Sequence, residues 1–346
     1  MAAIDAKDNA LSAQCLEHLR ALPFVKRAGL RAPQARAPRS LELVLETPEA
    51  RYALPCAVQR SHLVQEAGQA MLHVAEARPG LIVFAPAVGR ALGDFFEHGG
   101  INFVDVAGNC CLRLGDRYVA RIQGRRDANP KRVAKGLRAP AYRALLAMMI
   151  QRDLIDAPSR TIAAAAGVSP QTAIDLRKYL VEQGYVLRTR DRHAWARERE
   201  GEVMTLWLTG YSTTLAPSLA IGRFRAKEID PTELERRIEP ILDATGAWGY
   251  GGGAASQRLT GYYRGDQTTI YVADAPADLA TRLRFAKDGS GPITLARAPG
   301  RLALRSPQPR CVHPLVAYAD LLVEGHDRAR DAARELYEQL IAEKGR

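Results

Sequence analysis

The sequence predicts an α/β (α+β) multidomain protein with a mixed sheet in its first third, a three-helix unit with a hairpin in the middle, and a second α/β region at the end. Three observations carry this. Strand-like and helix-like apolar patterns alternate up to about residue 125, a strongly patterned helical pair spans Thr161 to Val186, and alternation resumes after about Gly201. A chain of 346 residues suffices for two or three domains, each with its own core. The hydrophobic fraction of 47% and charged fraction of 25% are those of an ordinary globular protein, which argues against a disordered or membrane-embedded chain.

In order along the first region, Leu11 to Leu22 reads as an amphipathic helix. Leu41 to Glu46 and Arg51 to Arg60 read as strands joined by the turn Thr47-Pro48-Glu49-Ala50. Ser61 to Ala77 reads as a helix and Leu81 to Ala85 as a buried strand, followed by a helix from Val88 to His98 that Gly99-Gly100 terminates. Strands follow at Ile101 to Val106, Cys110 to Leu114 and Tyr118 to Gln123. A hairpin followed by a helix and further strands is the arrangement of the restriction-endonuclease-like fold, expected over residues 1–125. Residues 126–139 are basic, contain Pro130 and read as a linker.

The central stretch reads as a winged helix-turn-helix over 140–200. Ala141 to Arg152 is its supporting helix, with Leu145, Leu146, Met149 and Ile150 turned inward. Small Ala163 and Ala166 let the next two helices approach, and Gly167 supplies the backbone freedom for the turn between them. Ser169 is a good N-cap with Pro170 at the first helical position. Val168, Ala173, Leu176 and Leu180 share one face, which leaves Gln171, Thr172, Asp175 and Lys178 toward solvent. A basic hairpin through Leu187 to Trp195 follows. This order places one helix in a major groove and clamps the flanking phosphates; the rival reading is a plain helical hairpin in a core. Ser169, Gln171, Thr172, Asp175 and Lys178 are the expected base-edge contacts, since Gln suits adenine, Lys guanine, and Asp accepts from cytosine. Arg177, Arg188, Arg190, Arg192 and His193, with Lys131, Arg132, Lys135 and Arg138 ahead of them, are the expected phosphate contacts.

Charge agrees with a polyanionic partner. The net charge is +11, and between Arg113 and Arg143 ten Lys/Arg stand against two Asp, directly before the helical pair. The expected partner is double-stranded DNA, bound by a homodimer because operator symmetry mirrors protein symmetry. The N-terminus carries Asp5, Lys7 and Asp8 where a secretory signal needs a continuous apolar stretch, and the apolar run Leu81 to Val88 is too short for a bilayer. A cytoplasmic, nucleoid-associated protein without membrane contact is expected. Five cysteines, at 15, 56, 110, 111 and 311, lack chelating spacing, and seven dispersed histidines form no His-x-x-x-His pair, so no metal or cofactor is expected.

Nuclease chemistry of the PD-(D/E)XK type is the competing class. It needs an acidic residue on one strand and an acidic-x-Lys triplet on the next, to hold a metal ion and activate water. Glu42 and Glu46 supply the first element, but the next strand reads Ala57-Val58-Gln59, so the site is degenerate and no catalytic residue is expected. Asp105, ahead of Gly108-Asn109, reads as turn chemistry more readily than as a catalytic acid. Cleavage through Glu42, Glu46 or Asp105 stays the alternative.

In the third region Trp207 to Leu215, Thr268 to Ala273 and Ile293 to Ala296 look strand-like, while Pro231 to Ala244 and Asp327 to Lys344 look helical. Trp248-Gly249-Tyr250-Gly251-Gly252-Gly253 lacks the lysine of a P-loop and reads as a close-packed or flexible turn into a helix. Gly251 through Tyr262 with Thr269-Ile270-Tyr271-Val272, and His313 through Leu322 followed by Ala332 to Tyr337, resemble the C-terminal region of AbiEi-type antitoxins of type IV toxin–antitoxin systems. Gly100 to Asn109 resembles the N-terminal domain of some members. The resemblance implies an AbiEi-like C-terminal domain over 201–346 and a DNA-binding repressor whose partner is a nucleotidyltransferase-like toxin. Antitoxins of this family commonly begin with the winged helix, whereas here a nuclease-like domain comes first.

Overall fold

In a computed structural model, the structure describes residues 6–31, 41–59, 78–126, 137–190 and 192–342, with 63, 68, 71, 72 and 74–76. The chain divides into two compact units, Met1–Gly136 with Leu180–Thr209, and Leu137–Tyr179 with Gly210–Arg346.

The first unit is built on a seven-stranded sheet whose spatial order follows the sequence. Helix α1 (Ala6–Arg20) precedes β1 (Arg27–Arg31), β2 (Leu41–Glu46), β3 (Arg51–Val58) and β4 (Ile82–Ala85). Helix α2 (Arg90–His98) leads to β5 (Asn102–Asp105), β6 (Cys110–Leu114) and β7 (Tyr118–Ile122). The pairs β3·β4 and β4·β5 are parallel and the outer pairs are antiparallel. All four residues of β4 are buried, because apolar layers cover both faces. Ile82 and Phe84 join one core with Cys15, Leu43 and Leu45, while Val83 and Ala85 join another with Leu92, Phe96 and Phe103. The expected strands thus form within two residues of their predicted ends. Most of the expected helix 61–77 lies outside the described residues; of its described positions, Leu63 is not helical and 68, 71, 72 and 74–76 are.

Three helices open the second unit: α3 (Ala139–Ile150), α4 (Ser159–Ala166) and α5 (Pro170–Glu182), whose last residues, from Leu180, group with the first. On α3, Leu145, Leu146 and Met148 are buried, whereas Met149 and Ile150 are half-buried, a rotation of the expected inward face by a fraction of a turn. The hairpin β8 (Val186–Arg188) and β9 (His193–Trp195) and helix α6 (Glu200–Gly210) belong to the first unit except for Gly210.

Here one expectation fails. Trp207 to Leu215 is helical, first within α6 and then in a π-type turn, Tyr211–Leu215. Trp207, Leu208, Tyr211 and Leu215 are buried at helical spacing while Thr213 is exposed, and it is the strand-favouring Trp, Tyr and Thr residues that make the segment look like a strand. After the short helix α7 (Ala216–Leu219), the second unit builds a five-stranded sheet from β10 (Ala220–Arg225), β11 (Trp248–Gly251), β12 (Thr268–Val272), β13 (Ala286–Lys287) and β14 (Ile293–Arg297), in the order β11-β12-β14-β10-β13. Helix α8 (Pro231–Asp243) lays Leu234, Ile238 and Leu242 on Tyr250, Ile270 and Leu295, and Asp230 caps it by accepting from Thr232 N at 2.8 Å. Two further helices, α9 (Gly252–Thr260) and α10 (Leu279–Arg282), flank β12, and α11 (Pro314–Glu324) and α12 (Asp327–Leu340) close the unit.

Candidate nucleic-acid interface

The turn between α4 and α5 is set by Gly167, whose φ of 64° and ψ of 44° lie in the left-handed region where a Cβ is strained. Its N–H and that of Val168 return to the Ala163 carbonyl, closing α4. Two residues on, Ser169 Oγ accepts from Thr172 N at 3.2 Å, the N-cap bond expected from the sequence. Ala163, Ala166, Ala173, Leu176 and Leu180 are buried.

The opposite face of α5 is free of the core. Ser169, Gln171, Asp175 and Lys178 are exposed and Thr172 is half-buried. Gln171 Nε2 donates to Asp175 Oδ1 at 2.8 Å, one helical turn away, so a ligand must exchange that bond for its own. Sequence reasoning missed Ile174, which is 43% exposed on this same face. An apolar side chain left in solvent between Gln171 and Lys178 is the signal that could have found it.

Arg177 is placed differently from the other expected contacts. It is half-buried, and its Nη1 donates to the Ala157 carbonyl at 2.8 Å, tying α5 to the loop before α4. Arg143 on α3 lies beside the turn, where a Cβ at Gly167 would sit 2.9 Å from its Nη2. Its buried Nε has no hydrogen-bond partner among the described residues, and desolvation draws its pKa down. Arg138, at the N-terminus of α3, is exposed; Lys131, Arg132 and Lys135 lie outside the described residues.

In the hairpin, Val186 pairs with Trp195 and Arg188 with His193. The turn is closed by Thr189 N and Oγ1, both donating to the Arg192 carbonyl, at 2.9 and 3.2 Å. Arg188, Arg190 and Arg192 are exposed, His193 is half-buried, and Leu187 is 44% exposed beside them. At the base of the hairpin Arg199 stacks 4.6 Å from the Tyr185 ring centroid, pairs with Glu202 and donates to the Gln183 carbonyl.

The acidic residues considered for nuclease chemistry have other partners. Glu42 pairs with Arg31 at 2.9 Å, and Glu46 lies 3.9 and 4.0 Å from Arg27 and Arg51. Gln59 is buried, its Nε2 directed at Met71 Sδ. Asp105, 1% exposed, accepts from Val88 N, Asn109 N and Asn109 Nδ2 at 3.1, 2.8 and 2.8 Å. It is turn chemistry of the kind read from the sequence. Among the described residues no group of three or more His, Cys, Asp or Glu is placed to hold a metal ion. The five cysteines are buried thiols outside any disulfide, and burial pushes the Cys15 thiol up to about 12.

The glycine cluster of the second unit is close packing. A Cβ on Gly249 would lie 2.7 Å from the Cys311 carbonyl carbon, and one on Gly253 would lie 2.1 Å from the Arg264 carbonyl oxygen. Gly252 N donates to Asp320 Oδ2 at 3.0 Å, while Asp320 Oδ1 accepts from Tyr271 Oη at 2.8 Å and from Tyr211 Oη. Enclosure of this carboxyl outweighs its three donors and raises its pKa to about 6. Nearby, Glu235 and Glu239 on α8 bind Arg258, with Arg264 on Glu235 and Arg310 on Glu239.

Residues 198–342 match the family model described as transcriptional regulator, AbiEi antitoxin, type IV toxin–antitoxin system. The family matched over this stretch is therefore one of regulators, in agreement with the resemblance seen at Gly251 to Tyr262 and His313 to Tyr337. No curated protein and no solved structure matches the chain. No helix among the described residues is long and apolar enough to cross a membrane.

Proposed function

We propose that this chain is a sequence-specific DNA-binding repressor of the antitoxin type, and that α4, α5 and the β8–β9 hairpin act as a winged helix-turn-helix. The observation that carries the reading is the polar, core-free face of α5. A left-handed Gly167 turn and a Ser169 cap start that helix, which then presents Gln171, Ile174, Asp175 and Lys178 to solvent. Gln171 and Lys178 read adenine and guanine edges, Ile174 offers apolar contact to a thymine methyl, and Asp175 accepts from cytosine. Arg138, Arg188, Arg190, Arg192 and His193 bind phosphates, supported by Lys131, Arg132 and Lys135. The family match supports the regulatory role and, with it, a toxin as partner; a nucleotidyltransferase-like toxin is the partner proposed. A homodimer on a two-fold operator is the expected assembly.

Sequencing the DNA fragments retained by the full chain at physiological salt identifies the operator. On that operator, Gln171→Ala relaxes specificity at one base position by about 1–3 kcal/mol. Arg190→Ala weakens binding to all sequences alike and reduces the salt slope by about one. An Arg190→Ala variant with an unchanged salt slope refutes the wing assignment. Incubation of supercoiled plasmid with Mg²⁺ or Mn²⁺ tests the nuclease alternative, and cleavage lost on Glu42→Ala would overturn the regulatory reading.

A further inference from the structure

The first unit holds a cavity of about 540 Å³ that the regulatory reading leaves unused. Its walls include Arg90, Arg125 and Arg126, and its apolar side is Val88 and Phe103. All three arginines are exposed, and among the described residues none forms a close ion pair, although Arg90 lies near enough to Asp94 to help lower its pKa. The nearest carboxylate on α2, Asp94, is already held by Arg121 and Gln123, each at 3.0 Å. Gly89 is the N-cap of α2, and no side chain among the described residues caps it, so the positive end of that helix adds to the same field.

The walls are built rather than incidental. Asp105 is the keystone: one carboxylate oxygen receives Val88 N, immediately before the α2 N-cap, and both oxygens bind Asn109. Asn109 in turn clamps the backbone of Arg125 on both sides, Oδ1 accepting from Arg125 N at 2.8 Å and Nδ2 donating to Arg125 O at 3.0 Å. A single buried carboxylate thereby positions the helix end and one arginine-bearing segment of the cavity. Three arginines lining a partly apolar space match an anionic head on a compact organic body, because guanidinium binds phosphate bidentately. The volume is that of a small-molecule site and exceeds what a bare anion fills.

We propose that this cavity binds a phosphate-bearing small molecule of nucleotide size, its phosphate held by Arg90, Arg125 and Arg126 and its body against Val88 and Phe103. Asp105 and Asn109 are positioning residues for Arg125.

Calorimetric titration of the full chain with adenosine 5′-monophosphate, adenosine, inorganic phosphate, and a short single strand with or without a 5′-phosphate tests this. The expected result is that the nucleotide binds, more tightly than inorganic phosphate, and that adenosine does not. Arg90→Ala and Arg125→Ala each weaken binding at least about tenfold. Lys227→Ala, which removes an exposed cation from the other unit, leaves it unchanged. Arg125→Lys keeps the charge but loses the fork, and its affinity falls between wild type and alanine. Thermal unfolding of each variant confirms that the exposed substitutions leave the fold intact. No binding by either free phosphate probe at millimolar concentration, or affinity indifferent to Arg90 and Arg125, overturns the proposal. Binding confined to the 5′-phosphorylated strand assigns the phosphate to nucleic acid and overturns the small-molecule class.

Discussion

Asp320→Asn separates the electrostatic cost of a buried carboxylate from the worth of its hydrogen bonds. The folded-state pKa of Asp320 is raised from 3.8 to about 6, chiefly by enclosure. A tenfold change in proton affinity is about 1.4 kcal/mol, so ionising this group in the folded protein costs about 3 kcal/mol more than in the unfolded chain. The sign follows from proton counting. Between these two pKa values the folded state binds more protons than the unfolded state, so this group's stabilisation is fully present below 3.8 and is lost as pH rises through 6. Asparagine cannot titrate, and with its carbonyl oxygen kept on the Gly252 N–H its NH₂ faces the Tyr211 and Tyr271 hydroxyls, which both donate to Asp320, costing about 1–3 kcal/mol. At low pH the variant is therefore less stable than wild type by that amount. By about pH 7.5 the wild type has lost about 3 kcal/mol, so the variant is equal to it or up to about 2 kcal/mol more stable. The assay is denaturant unfolding of both full-length proteins at matched pH values. The stability of the variant relative to wild type rises by about 2 kcal/mol between about pH 4.5 and about pH 7.5. Subtracting the curves removes the acid loss shared by carboxylates with lowered pKa, such as Asp243, which Trp248 and Arg310 hold ionised. Parallel curves would show that Asp320 is not desolvated, and would refute the argument.

Three further outcomes follow from local geometry. Gly167→Ala forces a Cβ onto a φ of 64° within 2.9 Å of Arg143, and should cost about 1–2 kcal/mol in thermal unfolding while weakening operator binding. Gly253→Ala meets the rigid Arg264 backbone at 2.1 Å and should destabilise by about 1–3 kcal/mol, whereas Gly289→Ala, with nothing within 4 Å, should stay within about 0.5 kcal/mol of wild type. Asp105→Asn places an NH₂ among three donors and should lower stability by at least about 1–3 kcal/mol; a catalytic acid would instead tolerate the change structurally.

The parts of the fold that were legible in the sequence are those whose physics is local. The Gly167 turn, the Ser169 cap and the buried set Ala173, Leu176 and Leu180 each depend on residues within a few positions of one another. Six of the seven strands of the first sheet were legible for the same reason, since hairpin turns and alternation bound them, whereas β1, Arg27–Arg31, was not read. Trp207 to Leu215 was not legible, because its Trp, Tyr and Thr residues favour strands while the buried set Trp207, Leu208, Tyr211 and Leu215 has helical spacing. Strand β10, whose sequence Ala220-Ile221-Gly222-Arg223-Phe224-Arg225 is half polar, gains its place from pairing with β14, more than sixty residues later. Arg177 shows the limit at the site itself: its spacing puts it beside Lys178, but only tertiary contact with Ala157 turns its guanidinium inward.

Asp105 shows why a residue's chemistry cannot be taken from its type. An aspartate at a strand end, ahead of Gly108 and Asn109, can be read from sequence as a catalytic acid, although turn chemistry is the favoured reading. Its two oxygens instead receive three N–H donors from positions 88 and 109, and a carboxylate so occupied has little capacity left for a cation. The same bonds carry its influence outward to Val88 and, through Asn109, to Arg125, on the wall of an electropositive cavity. The acid thus acts at a distance by fixing cations. A nuclease site of the expected kind needs carboxylates free to bind a metal, whereas this arrangement leaves arginines free to bind an anion. If the first unit contributes more than a scaffold to regulation, its chemistry is anion recognition, and it resides in Arg90, Arg125 and Arg126 rather than in Glu42, Glu46 or Asp105.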